Sequence, residues 1–243
     1  LRRSLADWTI LSPATFESSS GIEYEAKPAG SFLALGQAPD KDTTTFAAKL
    51  PMDSATALQL DVLSDESLPQ NGPGRADNGT LHLSKIVVRV KGEPVKIASA
   101  EADFNQHGWI IAHAIDANPD SAWGIHPQEG QTHRAFFVFE KPLEGMKGDE
   151  IRVELHQLHG RKHLIGRPRL TLTNLPEPSF VESVSLQIKE ILSINPQKRS
   201  EGQKHALAFY FAKVVNEREM ASLGAQNKVY AVASQFALSL IHI

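Results

Sequence analysis

Apolar and polar residues alternate with a period of two through most of the chain from Trp8 to about Asn174, and turn residues cut the alternation into short runs. Ile151, Val153 and Leu155 fall on one side of such a run, while Arg152, Glu154 and His156 fall on the other. This is the pattern of a strand with one buried and one wet face, because successive side chains in a strand point to opposite sides. Similar runs predict strands near Trp8-Ile10, Phe32-Leu35, Thr43-Lys49, Ala57-Leu63, Leu81-Ser84, Ile86-Val90, Val95-Ala102, Arg134-Glu140 and Arg169-Thr173. Nothing helical of useful length separates them, which argues against βαβ units. The expected class is mainly β: an antiparallel jelly-roll β-sandwich over residues 1–175.

The longest turn segment is Leu68-Pro69-Gln70-Asn71-Gly72-Pro73-Gly74-Arg75-Ala76-Asp77-Asn78-Gly79. Pro fixes φ and Gly reaches angles that other residues resist, so this connection should have one fixed shape. Fixed loops on a β scaffold carry function more often than cores do.

At Asn174-Leu175-Pro176-Glu177-Pro178 two prolines end the β pattern. Beyond them Val181, Val184, Ile188 and Ile191 recur at helical intervals. Ser200-Glu201-Gly202-Gln203 has the form of a capping box, and Leu207, Tyr210, Phe211, Val214 and Val215 make the stripe of the helix it opens. A further helix is expected from about Glu217 to Phe236. Residues 176–243 are therefore expected to form a C-terminal α-helical hairpin that links to a missing downstream domain.

A formal net charge of -3, with only short basic clusters, gives no reason to expect nucleic-acid binding. No run approaches the roughly 18 apolar residues that span a bilayer, so no membrane partner is expected. The absence of cysteine excludes disulfides, thiolate metal sites and a Cys nucleophile. The start Leu1-Arg2-Arg3-Ser4 has neither an initiator Met nor a signal-peptide core and reads as the interior of a longer protein.

Three clusters could carry chemistry. Asp116, Asn118, Asp120 and Ser121 offer the oxygen donors that a hard cation such as Ca2+ needs, and equally the groups of a plain Asx turn ahead of a buried Trp123. His156, His159 and His163 invite a zinc reading. Because the first lies on a strand and the others in the turn after it, ordinary polar histidines are the expectation there. Arg75, Asn78, His107 and Trp109, with Phe104 and Trp123 nearby in sequence, could form a glycan-binding face, since aromatic rings suit the C–H faces of sugars. No Ser sits in an elbow motif and spacing specifies no carboxylate pair, so a catalytic role is not expected.

Four separated motifs carry a family resemblance: the Leu68–Gly79 segment, Ala100-Glu101-Ala102-Asp103-Phe104-Asn105-Gln106, Ala114-Ile115-Asp116 with Trp123-Gly124-Ile125, and His163-Leu164-Ile165-Gly166-Arg167-Pro168-Arg169-Leu170-Thr171. In this order they resemble the central region of large planctomycete cytochrome c domain-containing proteins, over roughly residues 8 to 235. The resemblance implies a galactose-binding-like sandwich, the fold of discoidin domains and many carbohydrate-binding modules. It implies a non-catalytic binding or architectural module of an extracellular or periplasmic multidomain protein, with a polysaccharide as ligand and neighbouring domains of the same parent chain as partners. The alternative is a purely structural spacer that docks against catalytic or haem domains. In such modules an Ile-Asp-Gly turn followed by Thr and Trp often holds a structural Ca2+. Here Asp116 matches, Ala117 stands at the Gly position and Ser121 at the Thr position. The haem of the parent proteins does not belong to this chain, which has no cysteine pair to attach it.

Overall fold

The computed structural model describes residues 8–13, 15–116, 118–175, 191–192 and 194–222, with side chains described up to residue 212. Two compact units divide the chain, Leu1–Ser179 and Phe180–Ile243.

The first unit is built from antiparallel strands: β1 (Thr9–Ile10), β2 (Thr15–Ser18), β3 (Tyr24–Lys27), β4 (Ser31–Ala34), β5 (Asp42–Lys49), β6 (Ser54–Val62), β7 (His82–Leu83), β8 (Lys85–Val90), β9 (Glu93–Val95), β10 (Ile97–Ala102), β11 (Trp123–Gly124), β12 (His133–Glu144), β13 (Glu150–Gln157) and β14 (Pro168–Thr173). One sheet runs β10-β12-β6-β14-β4-β3, with β1 also on β14, and a second runs β2-β5-β13-β8-β9. A two-stranded ribbon, β7-β11, stands apart from both.

Both sheets feed one apolar core. Leu58, Leu60, Phe137 and Leu172 come from the first, and Phe46, Val88, Ile151, Val153 and Leu155 from the second. The alternation read along 151–156 holds, since Ile151, Val153 and Leu155 are buried while Arg152, Glu154 and His156 are half-exposed. Fully burying a side chain of this size contributes about 1.5–3 kcal/mol, so these pairs of facing strands carry most of the unit's stability. Phe16 and Phe46 of the second sheet pack with Tyr24 and Phe32 of the first, ring centroids 4.6 to 6.3 Å apart. The Tyr24 hydroxyl meets Thr44 Oγ1 at 2.9 Å, and burial pushes its pKa up to about 12.

The strands β2, β3, β9 and β11 were not expected. The first two are four residues each and partly polar, β9 has three residues and β11 two, so none offers enough alternation to be read. Each is fixed instead by a longer neighbour or by loop contacts.

In the second unit a single helix, α1 (Glu201–Ser222), is described. Its capping box forms: the Ser200 amide donates to Gln203 Oε1 at 2.9 Å and the Gln203 amide to Ser200 Oγ at 3.3 Å. The expected start of a separate helix at Glu217 is corrected, because α1 runs through that position without a break. Leu207 and Tyr210 are buried with Ile191, whereas Phe211, assigned to the same stripe, is exposed. The rest of the expected hairpin, including Val181, Val184, Ile188 and the segment to Phe236, lies outside the described residues.

Candidate functional site

The Leu68–Gly79 loop has the fixed shape its composition demands, and it serves as a buttress. Gln70 and Asn71 take positive φ. At Gly74 an added Cβ would lie 1.9 Å from the Thr80 carbonyl oxygen, so only glycine fits. Its far side pairs with residues 163–166: the Arg75 amide donates to Leu164 O at 2.9 Å, the Gly166 amide to Pro73 O at 2.7 Å, and the His82 amide to His163 O at 3.0 Å. The loop thereby fixes the backbone that carries His163 beside the backbone that carries His82.

The turn before His163 is strained. Gly160, Arg161 and Lys162 all have positive φ, which is unfavourable for the two non-glycine residues. Asp40 holds them there, its Oδ1 accepting from the Arg161 amide at 2.7 Å and its carbonyl from the Lys162 amide at 3.2 Å. Such a turn folds back on itself, and His159 and His163 reach the same point from its two ends.

Three imidazoles meet there. The His82 ring lies between Trp109 and His163, nearly parallel to both, at centroid distances of 4.5 and 4.7 Å. His159 stands edge-on to His82 at 4.1 Å and to Trp109 at 4.9 Å. Each histidine offers a ring nitrogen within 4.8 Å of those of the other two. They are placed to share a cation, and among the described residues no other group of three or more histidine and carboxylate ligands is. His82 is only 5% exposed, and neither of its ring nitrogens has a hydrogen-bond partner. Burial lowers its pKa to about 3, with the charges of His159 and His163 adding to the effect; the Gln106 carboxamide, outside hydrogen-bonding geometry, opposes it weakly. His159 is lowered too, by burial first and then by His163, Arg161 and Lys41.

His156, grouped by spacing with His159 and His163 and expected to be an ordinary polar histidine, is one, and it stands outside this set. His156 Nε2 contacts Glu154 at 3.1 Å and its Nδ1 contacts Thr43 at 3.4 Å. His82 was missed because an alternating Leu81-His82-Leu83-Ser84 run would aim the histidine at solvent. All four residues are in fact buried: Leu81 and Leu83 join the main core, and His82 is covered by Trp109, His159 and His163. A histidine flanked by leucines in a very short strand was the available signal.

The expected glycan-binding residues do not form one patch by direct contact. Trp109 is half-buried against the histidines and His107 is exposed nearby. Arg75 is 7% exposed, and its Nη2 donates to the carbonyls of Leu35 and Gly36 at 3.2 and 2.6 Å. Asn78 is exposed, and its Oδ1 accepts from the Thr80 hydroxyl at 2.7 Å. Trp123 is fully buried, as expected of a core anchor, with its indole N–H donating to Phe104 O at 3.0 Å.

At the Asp116 turn the Asn118 amide donates to Asp116 Oδ1 at 2.9 Å and the Asp120 amide to Asn118 Oδ1 at 3.1 Å. Ser121 Oγ lies 3.0 and 2.9 Å from the two Asp116 oxygens and 3.0 Å from Asn118 O. Three oxygens thus gather around the Ser121 hydroxyl, while the Asp116 and Asn118 side chains also satisfy the local backbone. Two open depressions elsewhere, of about 480 and 720 Å³, hold no histidine; in the larger, Asp65 is tied to Ser67 and Arg167. No described helix is long and apolar enough to cross a membrane.

No family model matches the chain, and no curated protein does. The resemblance to planctomycete cytochrome c proteins therefore rests on the quoted motifs alone. Among solved structures, the chain is similar to the CBM51-2 and INT domains of ZmpB from Clostridium perfringens, at 12% identity and a TM-score of 0.25. The match covers 89% of this chain and 40% of that one, so this chain spans well under half of it. At that identity and score neither fold nor ligand is transferred.

Proposed function

We propose that the first unit is a jelly-roll sandwich acting as a non-catalytic binding module of a larger secreted or periplasmic protein, with a glycan as its ligand. The sandwich reading is supported by the single core that both antiparallel sheets share. The observation that carries the binding reading is Trp109, an indole half open to solvent and held by His82 and His159. An aromatic plate that is already immobilised loses little entropy on binding, and its apolar face suits a pyranose. Exposed His107 and Ile110 flank it in sequence and add polar and apolar contacts.

Binding to a panel of immobilised polysaccharides tests this directly. Retention that is lost in Trp109→Ala and kept in Trp8→Ala supports the reading; no retention on any polysaccharide overturns it. In the same module the Asp116 turn is the place for a structural Ca2+, supported by the oxygens gathered around Ser121. A ligand at a hundredfold excess over Kd stabilises by about 2.7 kcal/mol, so thermal unfolding with Ca2+ against chelator decides it.

A second reading, that the chain is a spacer docking against neighbouring domains, draws on α1. Its Phe209 and Phe211 are 77% and 52% exposed, and large exposed rings commonly mark a contact surface. Association with the adjoining domains of the parent chain, weakened in Phe209→Ser, would favour it.

A further inference from the structure

We propose that His82, His159 and His163 form a binding site for a divalent transition metal of the zinc class. Nearly all buried polar atoms in folded proteins have a partner, and an imidazole with both nitrogens orphaned inside a packed loop cluster is a strong exception. Around His82 stand the Trp109 ring, the Gln106 carboxamide and two further histidines, His159 and His163, whose ring nitrogens are no more than 4.8 Å away. One cation would supply the missing partner for all three histidines.

The hydrogen bonding of the cluster suits that role. His163 Nδ1 lies 2.9 Å from the Gly160 carbonyl, so Nδ1 carries the proton and Nε2 is left with its lone pair free. A ligating histidine commonly has its second nitrogen fixed in this way by a backbone carbonyl. With neither thiolate nor carboxylate in the group, an imidazole-only set favours zinc, copper or nickel over calcium or magnesium.

Geometry allows closure. Zinc–nitrogen bonds of about 2.0–2.1 Å in a tetrahedron place ligand nitrogens roughly 3.3 Å apart, so the rings close by roughly 1.5 Å at most. His82 is fixed by Trp109, while exposed His159 and half-buried His163 can turn to meet it. The cluster opens toward solvent on the His159 side. Three protein ligands then leave a fourth position for water or an anionic group, and the cationic Arg161 and Lys41 act on that side. The Leu68–Gly79 buttress and the Asp40-held turn are what hold the three residues in place before any metal arrives.

This site stands on His82 and not on glycan binding, so either can fail without the other. The test is a calorimetric titration of the whole chain with Zn2+ alone, against the variants His159→Ala and His163→Ala, with His156→Ala and His107→Ala as controls. His159 is exposed, so its loss leaves the fold intact, which circular dichroism checks. One equivalent bound, weakened about tenfold or more in His159→Ala and His163→Ala and unchanged in both controls, is the expected result. No binding, or binding that both cluster variants retain in full, overturns the proposal.

Discussion

The Asp116 turn and the His82 cluster are both knots of polar side chains in the loops of one β unit, and they differ in how their polar atoms are satisfied. At Asp116 the carboxylate and its neighbours bond to backbone and side chains within five residues. At His82 neither ring nitrogen of a buried imidazole has a hydrogen-bond partner, and the two histidines beside it come from a segment some eighty positions away in sequence. A turn that satisfies itself is complete as a structural device. A cluster held in place by the Leu68–Gly79 loop and Asp40, with the His82 nitrogens unpaired, leaves donor atoms free to bind.

Substitutions should separate the two. The largest effect is expected at Gly74, the residue through which the buttress reaches the histidine-bearing segment. Gly74→Ala drives a Cβ into the Thr80 carbonyl and should destabilise by about 3 kcal/mol, read as a lower urea midpoint. It should also weaken Zn2+ binding, while leaving any Ca2+ response at Asp116 unaltered. If metal binding survives a destabilised buttress, the two regions are less different than they look.

Next come two replacements with opposite signs. In metal-free protein His82→Leu removes two orphaned nitrogens from the interior and should stabilise by about 1 kcal/mol, net of lost ring stacking. Asp116→Ala removes acceptors that are in use and should destabilise by about 1 kcal/mol. Equal signs in thermal denaturation would break the comparison.

The smallest effect concerns His133, a buried histidine that does have partners. Burial alone would lower its pKa, but the Asp103 carboxylate at 3.3 Å, the Gln128 carbonyl at 2.9 Å and the charge of Glu129 together raise it. A folded-state pKa above the unfolded one contributes stability that is fully present below the unfolded value of about 6.5. That stability is lost as pH rises through the folded value. The slope should stay under the about 1.4 kcal/mol per pH unit that one proton can supply, and Asp103→Asn should flatten it.

Much of the fold could be read in the chain because sheet burial writes a local, period-two signal. The Ile151–Leu155 run and the Ser200–Gln203 cap are of this kind, each decided within a few residues. The strands Thr15–Ser18 and Tyr24–Lys27 were invisible, since they owe their place to pairing with β5 and β4 rather than to their own pattern. The candidate site divides in the same way. The Asp116 turn is legible from spacing, and so is the stiffness of Leu68–Gly79, but what that stiffness holds is not. His82 joins His159 and His163 because the Gly74–Ile165 bridge and the hydrogen bonds around it, the His82 amide to His163 O among them, set two distant backbones side by side. Spacing within His156-x-x-His159-x-x-x-His163 gave no sign of His82; the ordinary polar role expected there is the one His156 has, its ring bonded to Glu154.

X-ray absorption at the zinc edge of the metal-loaded protein reports the ligands themselves. Imidazole nitrogens at about 2.0–2.1 Å are expected, three in the unaltered chain and fewer in His159→Ala. A first shell made of oxygen alone, or one that His159→Ala leaves unchanged, would contradict the three-histidine site.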